Sequence, residues 1–260
     1  MTYNHLLLDI GNTAIDILLS RDGFSLHGKI PVTRMELLND FIQKQFEEYP
    51  FDVLISSVNL KAGQRLKDQL LVHQIPFRFI DSEIMKDFSE KNHYDIPNVS
   101  FLGSDLFCDI IGVRNKTGLI VLDLGTATKV IYLDSQNQFH GSSIFPGIRL
   151  FPKALSLDTS LLEDYPLIKN PPIVSLQTEE CLSSGAILGT AYAIKGMVEE
   201  LLNKENGCDI YLTGGNAFYV KDKLSIPFYE MKEEPLLVLK GIAKTFDADI
   251  HPNIRDIEFR

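Results

Sequence analysis

Two acidic glycine turns are the residues of this chain best suited to chemistry. The first, Asp9-Ile10-Gly11-Asn12-Thr13, ends the apolar run Leu6-Leu7-Leu8; the second, Asp123-Leu124-Gly125-Thr126-Ala127-Thr128, ends Ile120-Val121-Leu122. A tight turn leaving a buried strand aims several backbone N–H groups one way, and glycine lets an anion approach them without a Cβ in between. Gly11 and Gly125 suit that role. Asn12, Thr13, Thr126 and Thr128 can add side-chain donors, while Asp9 and Asp123 are placed to hold a cation that neutralises phosphate. A third stretch, Asp209 to Ala217, reads as a strand, then Thr213-Gly214-Gly215, then a helix start. Such a glycine pair lets a flat ligand, an adenine for example, lie on the backbone. Each motif alone is also good turn chemistry. The weight rests on the repetition at domain-scale separation, Ile120 standing 114 positions after Leu6.

The elements that must position these turns repeat as well. Each turn is followed by a β-rich segment (Ile15 to Ser20, then Lys129 to Leu133) and a turn signal, Arg21-Asp22-Gly23 or Asp134-Ser135-Gln136-Asn137. Met35 to Tyr49 has helical apolar spacing at Leu37, Leu38, Phe41, Ile42 and Phe46, and Phe51 to Val58 reads as a buried parallel strand. Gly63 to His73 reads as a helix before a strand at Pro76 to Ile80. Further on, Thr178 to Leu202 is helical, Asp209 to Thr213 a strand and Pro235 to Phe246 a helix. Strands alternating with helices after an initial hairpin predict two α/β lobes, each a mixed sheet with helices. Asn115-Lys116-Thr117-Gly118 is the expected boundary, giving lobes at 1–117 and 118–260 with a cleft between them.

Composition narrows the function classes. Hydrophobic residues make up 45% and charged residues 23%, and no run reaches the roughly 18 to 20 uncharged apolar residues of a membrane span, so a soluble, cytoplasmic protein is expected. A net charge of -10 without a Lys/Arg cluster argues against a nucleic-acid partner. Cys108, Cys181 and Cys208 are odd in number and never spaced C-x-x-C, which disfavours disulfides and a zinc site. The six histidines show no ligand spacing; His140 alone is of interest, beside the proline loop described next.

With the three turns in this order the chain resembles the superfamily of acetate kinases, sugar kinases, heat-shock protein 70 and actin, and within it the type III pantothenate kinases. Tyr94 to Pro97 followed by Leu102-Gly103-Ser104-Asp105 is similar to that family's Y-x-x-P and L-G-x-D-R segment. Gly141 to Gly147 is similar to its G-G-x-I-x-P-G loop, Thr178 to Gly185 to its helix start, and Leu239-Lys240-Gly241 to its C-terminal L-K-G. The resemblance implies an actin-like fold with ATP in the cleft and phosphorylation of pantothenate, the first step toward coenzyme A. It further implies Asp105 as the base, with Asp9, Ile10, Gly11, Asn12, Thr13, Gly125, Thr126, Ala127, Thr128, Gly214 and Gly215 on ATP. Tyr94, Gly103, Ser104, Asp105, Leu106 and Thr178 would line the pantothenate site. Magnesium near Asp9, potassium or ammonium at Asp123 and a homodimer in which Thr178 reaches the partner's pocket complete the implied set. On position alone, Asp105 could equally be a helix N-cap or solvated acid, Tyr94 a half-buried aromatic and Thr178 a helix cap.

Three positions depart from the family pattern. Leu106 stands where the family carries an arginine able to pair with the pantothenate carboxylate, and Arg114, Arg149 and Lys153 are candidate substitutes. Lys129 stands where a further hydroxyl is frequent, and Ser142 where a glycine is usual. Two alternatives therefore remain open: a nucleotide-binding regulatory relative without catalysis, and a kinase of a different small hydroxy acid.

Overall fold

The structure is a computed structural model describing residues 4–113, 117–205, 207–227, 229–257 and 259; Arg114 and the expected boundary at Asn115-Lys116 lie outside them. The chain divides into two compact units, Met1–Arg114 with Leu236–Arg260, and Asn115–Pro235.

In the first unit β1 (His5–Ile10), β2 (Ala14–Arg21) and β3 (Phe24–Pro31) form an antiparallel meander. The helix α1 (Met35–Glu48) buries Leu38 and Ile42 and leads to β4 (Asp52–Ser57), parallel to β1. Flanked on both sides, β1 has little need of polar residues, and Leu6, Leu7 and Leu8 are fully buried. The helix α2 (Leu60–Val72) begins earlier than expected because the Asn59 side chain accepts from Ala62 N and caps it. After β5 (Phe77–Phe79) come α3 (Ser82–Lys91), capped by Asp81, and α4 (Ser104–Ile111).

The second unit repeats this wiring. A meander of β6 (Leu119–Leu124), β7 (Ala127–Leu133) and β8 (Phe139–Pro146) is followed by α5 (Leu150–Asp158) and α6 (Thr178–Lys204). Then come β9 (Asp209–Thr213), the short α7 (Ala217–Val220) and β10 (Met231–Glu233). The sheet orders are β11-β3-β2-β1-β4-β5, where β11 (Ile254–Asp256) is an added edge, and β10-β9-β6-β7-β8. Superposed by order, β1 matches β6, β2 matches β7 and β4 matches β9. Both sheets therefore carry an antiparallel hairpin and a parallel neighbour around the strand that ends in the acidic glycine turn.

The C-terminal segment corrects the expected division at 117/118. Residues from Leu236 onward join the first unit, because α8 (Leu237–Thr245) packs backbone to backbone on α4. A Cβ on Gly241 would meet Cys108 O at 2.3 Å, and one on Gly112 would meet Leu237 O at 2.5 Å. Two glycines thus allow a helix crossing that larger residues would hold apart, which is the physical content of the L-K-G motif. Helix α6 is long and apolar enough to cross a membrane by length and composition. Its Ala186, Ile187, Ala191, Ile194 and Val198 are instead buried in the core of the second unit.

Candidate active site

Within the second unit two separate stretches of sequence close on the Gly125 turn. Gly125 N donates to Ala127 O at 3.0 Å, shaping a hairpin one residue shorter than that at Gly11, whose N donates to Ala14 O. Gly147, just past β8, donates its N–H to Thr126 O at 3.0 Å. Gly214, at φ +89, lies so close that a Cβ would stand 2.5 Å from Leu124 O and 2.6 Å from an Asp123 carboxylate oxygen. Asn216 completes the ring: its N donates to Leu124 O and its Nδ2 to Gly125 O, both at 2.8 Å. Asp123, Gly125, Thr126, Gly214 and Gly215 are therefore neighbours. Thr126 and Gly215 are exposed, whereas Thr128 is fully buried with its hydroxyl 3.4 Å from Pro146 O, where it ties the loop to the turn instead of facing outward.

Asp123 is largely buried, and Lys129, directly opposite it on β7, donates to its Oδ2 at 2.7 Å. Both side chains are 12% exposed. The equivalent row in the first unit differs, because Asp9 faces Asp16 across the hairpin and Asp16 in turn faces Lys29. Asp16 takes His27 Nε2 at 2.9 Å and the Lys29 ammonium. Burial alone would raise the Asp16 pKa, but the His27 hydrogen bond and the Lys29 charge outweigh it and hold the carboxyl below its ordinary value.

Around the first turn, Asn12 and Thr13 are exposed while Ile10 is buried. Ser104, the first residue of α4, joins that helix to β4: its Oγ lies 2.9 Å from Ser56 Oγ and accepts from Ser57 N at 3.1 Å. Ser56 is the β4 partner of Asp9, and Val58 N donates to Ile10 O, so α4, with Asp105 in its first turn, starts beside the strand pair that carries the acidic turn. The buried Cys108 thiol reports the same crowding, since burial and then the charges of Asp9, Asp109 and Asp105 push its pKa well up. Gly103 lets the Asp105 carboxylate fold back over it, since a Cβ there would stand 2.7 Å from Asp105 Oδ1 and push that side chain aside. Gly103, not Asp105, occupies the helix cap position, and Asp105 lies in the first turn with Oδ1 accepting from Leu106 N at 2.7 Å. Likewise Gln177 occupies the N-cap position of α6 without a side-chain cap bond, and Thr178 is exposed as the first helical residue.

Leu106 is 5% exposed and part of the core, so its position offers no charged donor. Of the candidate substitutes, Arg114 lies outside the described residues. Arg149 is occupied in the second unit, with Nε 3.3 Å from Asn216 Oδ1, and Lys153 is exposed on α5. Lys244 on α8 is the cation that sequence reasoning missed. It donates to Ile111 O at 2.8 Å and lies 3.3 Å from the Tyr94 hydroxyl, whose pKa burial raises.

Asn59 and Asn216 were also missed as site residues. Each follows the fourth strand of its sheet and donates to the carbonyl of the turn glycine, Asn59 Nδ2 to Gly11 O at 3.5 Å. The shared signal, an asparagine shortly after Ser56-Ser57 and after Thr213-Gly214-Gly215, was present in the sequence. Ser142 needs no glycine's freedom, because the positive φ of +119 falls on Gly141 and Ser142 pairs normally with Ile131. His140 is not near the turn. It bonds Asp134 Oδ2 at 2.8 Å and stacks on Tyr132 at the opposite end of β7. A groove of about 750 Å³ lined by Tyr132, Asp134, His140 and Glu205 lies at that far end and contains none of the expected site residues.

Comparison with known proteins identifies relatives along most of the chain. The chain is 28% identical over 242 residues to a type III pantothenate kinase of Cytophaga hutchinsonii, covering 92% of this chain and 97% of that one. It is 28% identical over 253 residues to one of Borrelia hermsii, covering 94% and 95%. Among solved structures, a Campylobacter jejuni protein described as a Baf family transcriptional activator aligns over 93% of this chain and 97% of its own, with a TM-score of 0.57 at 20% identity. The ethanolamine utilization protein EutJ of Carboxydothermus hydrogenoformans aligns over 94% and 90%, with a TM-score of 0.54 at 11% identity. These two share the fold. The family described as type III pantothenate kinase matches residues 5–200, three quarters of the chain and a span that includes both acidic glycine turns and the Asp105 segment; this protein belongs to that family.

Proposed function

We propose that this chain transfers the γ-phosphoryl group of ATP to the primary hydroxyl of pantothenate, the first step toward coenzyme A. The observation that supports the reading is the Ser56–Ser104 contact, which ties the start of α4, where Asp105 lies, to the strand beside Asp9. Phosphoryl transfer asks little covalent chemistry of a protein and depends on positioning and charge neutralisation. Asn12, Thr13 and Thr126 receive phosphate oxygens, the Gly11 and Gly125 N–H groups being engaged within their own hairpins, and Gly214-Gly215 underlies the adenosine. Asp105 takes the proton of the acceptor hydroxyl as its oxygen bonds to the γ-phosphorus and the bond to the β–γ bridging oxygen breaks, releasing ADP. Kinases of this family use ATP with a divalent cation, and the residues present fit one: Asp9 supplies a carboxylate, and magnesium needs only one or two besides the phosphates. When bound, that cation neutralises the phosphate charge.

Replacement of Asp105 by Asn tests the assignment. ADP release that depends on pantothenate should fall by roughly 100- to 10,000-fold while ATP still binds. Undiminished turnover in that variant would refute Asp105 as the base.

Homodimerisation is part of the proposal. Ile173, Val174 and Leu176, immediately before Thr178, are 67%, 80% and 101% exposed, an apolar stretch that a second copy would cover. Sedimentation of the native chain against a Leu176→Glu variant tests it, and a monomeric native chain would exclude Thr178 from a partner's pocket. A second reading is favoured by the burial of Leu106: an acceptor without the pantothenate carboxylate, or nucleotide binding without transfer. Lys244 beside Tyr94 supports the first reading by supplying a cation near the substrate segment. A panel of hydroxyl acceptors with and without a carboxylate separates the two.

A further inference from the structure

The family resemblance calls for a monovalent cation at Asp123, and the residues present do not fit one. Asp123 Oδ2 already accepts from the Lys129 ammonium at 2.7 Å, and the Gly214 backbone lies so near its other oxygen that a Cβ there would stand at 2.6 Å. We propose that Lys129 is a built-in replacement for the monovalent cation, and that this protein works without potassium or ammonium.

Several observations support this. An ammonium group and a potassium ion are nearly the same size and carry the same charge, so one can stand on a carboxylate in place of the other. Asp123 and Lys129 are directly paired across the β6–β7 hairpin, where side chains share a face. Tethering to β7 spares the charge the association entropy that a free ion loses. Both groups are 12% exposed, a setting in which a competing ion would have to strip a desolvated pair.

The first unit supplies an internal comparison. There the residue opposite the turn acid is Asp16, and the lysine stands one strand farther out at Lys29. Counting that row without His27, two carboxylates and one lysine sum to -1, which suits a divalent cation. In the second unit Asp123 and Lys129 sum to zero. The same wiring therefore builds one turn that needs an added cation and one that carries its own.

The test uses the full chain and two readouts, because the inference rests on the ATP-binding reading but not on the identity of the acceptor. ATP binding is measured by calorimetry, and ADP release with pantothenate by a coupled assay. Both are run with KCl and with tetramethylammonium chloride at equal ionic strength. The native chain should show the same ATP affinity and turnover in both salts. Lys129→Met should lose about tenfold or more in ATP affinity without potassium and regain it with KCl or NH4Cl, and Lys129→Arg should remain potassium-independent. Potassium stimulation of ATP binding in the native chain, or a Lys129→Met variant as tight as native in both salts, overturns the proposal. If Lys129→Met does not fold, as judged by circular dichroism, Lys129→Gln takes its place, and the native arm decides by itself. Absence of pantothenate phosphorylation alongside the expected calorimetric pattern would count against the kinase reading and for this one.

Discussion

Replacement of Gly147 by alanine tests directly how the turn in the second unit is held. A Cβ there would stand 2.3 Å from Thr126 O, 2.5 Å from Gly125 O and 2.8 Å from Thr126 C. All three are backbone atoms, so no side chain can swing aside. Ordinary contact begins at 3.4 Å, and 3.4 less 2.3 leaves about 1 Å to be recovered by moving the turn or the loop. Gly147 is not in the left-handed region, so the cost is steric alone. Overpacking of this kind costs about 1 to 3 kcal/mol. At roughly 2 to 4 °C per kcal/mol for a protein of this size, the melting temperature should drop by about 2 to 12 °C. The catalytic cost should be larger, since a shift of about 1 Å in the backbone proposed to bind phosphate can lower the rate by about 100-fold. Thermal melts followed by circular dichroism and steady-state ADP release, with KM determined for ATP and pantothenate separately, read out both effects. The loss should fall on ATP. Gly196→Ala on the exposed face of α6 is the control, because its Cβ meets nothing within 4 Å and alanine should stabilise the helix by about 0.5 to 1 kcal/mol. A Gly147→Ala protein with native melting and native KM for ATP would refute the reasoning that this loop braces the turn.

Thiol chemistry offers another check: Cys108 and Cys208 are buried, their pKa values raised mainly by burial, Cys208 to about 11, while Cys181 is exposed. Iodoacetamide at mildly alkaline pH should therefore alkylate one thiol quickly, Cys181, and all three only after denaturation; rapid labelling of Cys208 in the native protein would contradict its placement. Acid stability should depend on Asp16, whose folded pKa lies below the ordinary 3.8. A depressed carboxyl contributes stability above its unfolded pKa and loses it as pH falls through the folded value, so the native chain should lose more stability than Asp16→Asn between neutral pH and the range below 3.8. Parallel pH dependences of urea midpoints for the two proteins would show that the His27 and Lys29 contacts contribute nothing.

Much of the fold was legible because local patterns agreed with it. The runs Leu6–Leu8 and Ile120–Leu122, the helical spacing from Met35, and the Asp209–Thr213 strand sit where periodicity put them, since burial on both sides of a central strand demands unbroken apolar sequence. Boundaries moved where a side chain intervened, as at α2, which Asn59 caps from outside the apolar pattern. The short edge strands β10 and β11 carry too little periodicity to announce themselves, being three residues each.

The sequence by itself determined the duplicated module, its acidic glycine turns and the family to which they belong, because those depend on residue types a few positions apart. Tertiary structure alone decided what lies beside those turns. It brought Gly147 and Asn216 onto the Gly125 backbone, returned α8 to the first unit through Gly241, buried Leu106 and stood Lys244 next to Tyr94. It also set Lys129, which reads as an ordinary strand lysine, against Asp123. Cross-strand register and helix crossings join residues distant in sequence, and nothing in a one-dimensional pattern states which of them will share a hydrogen bond.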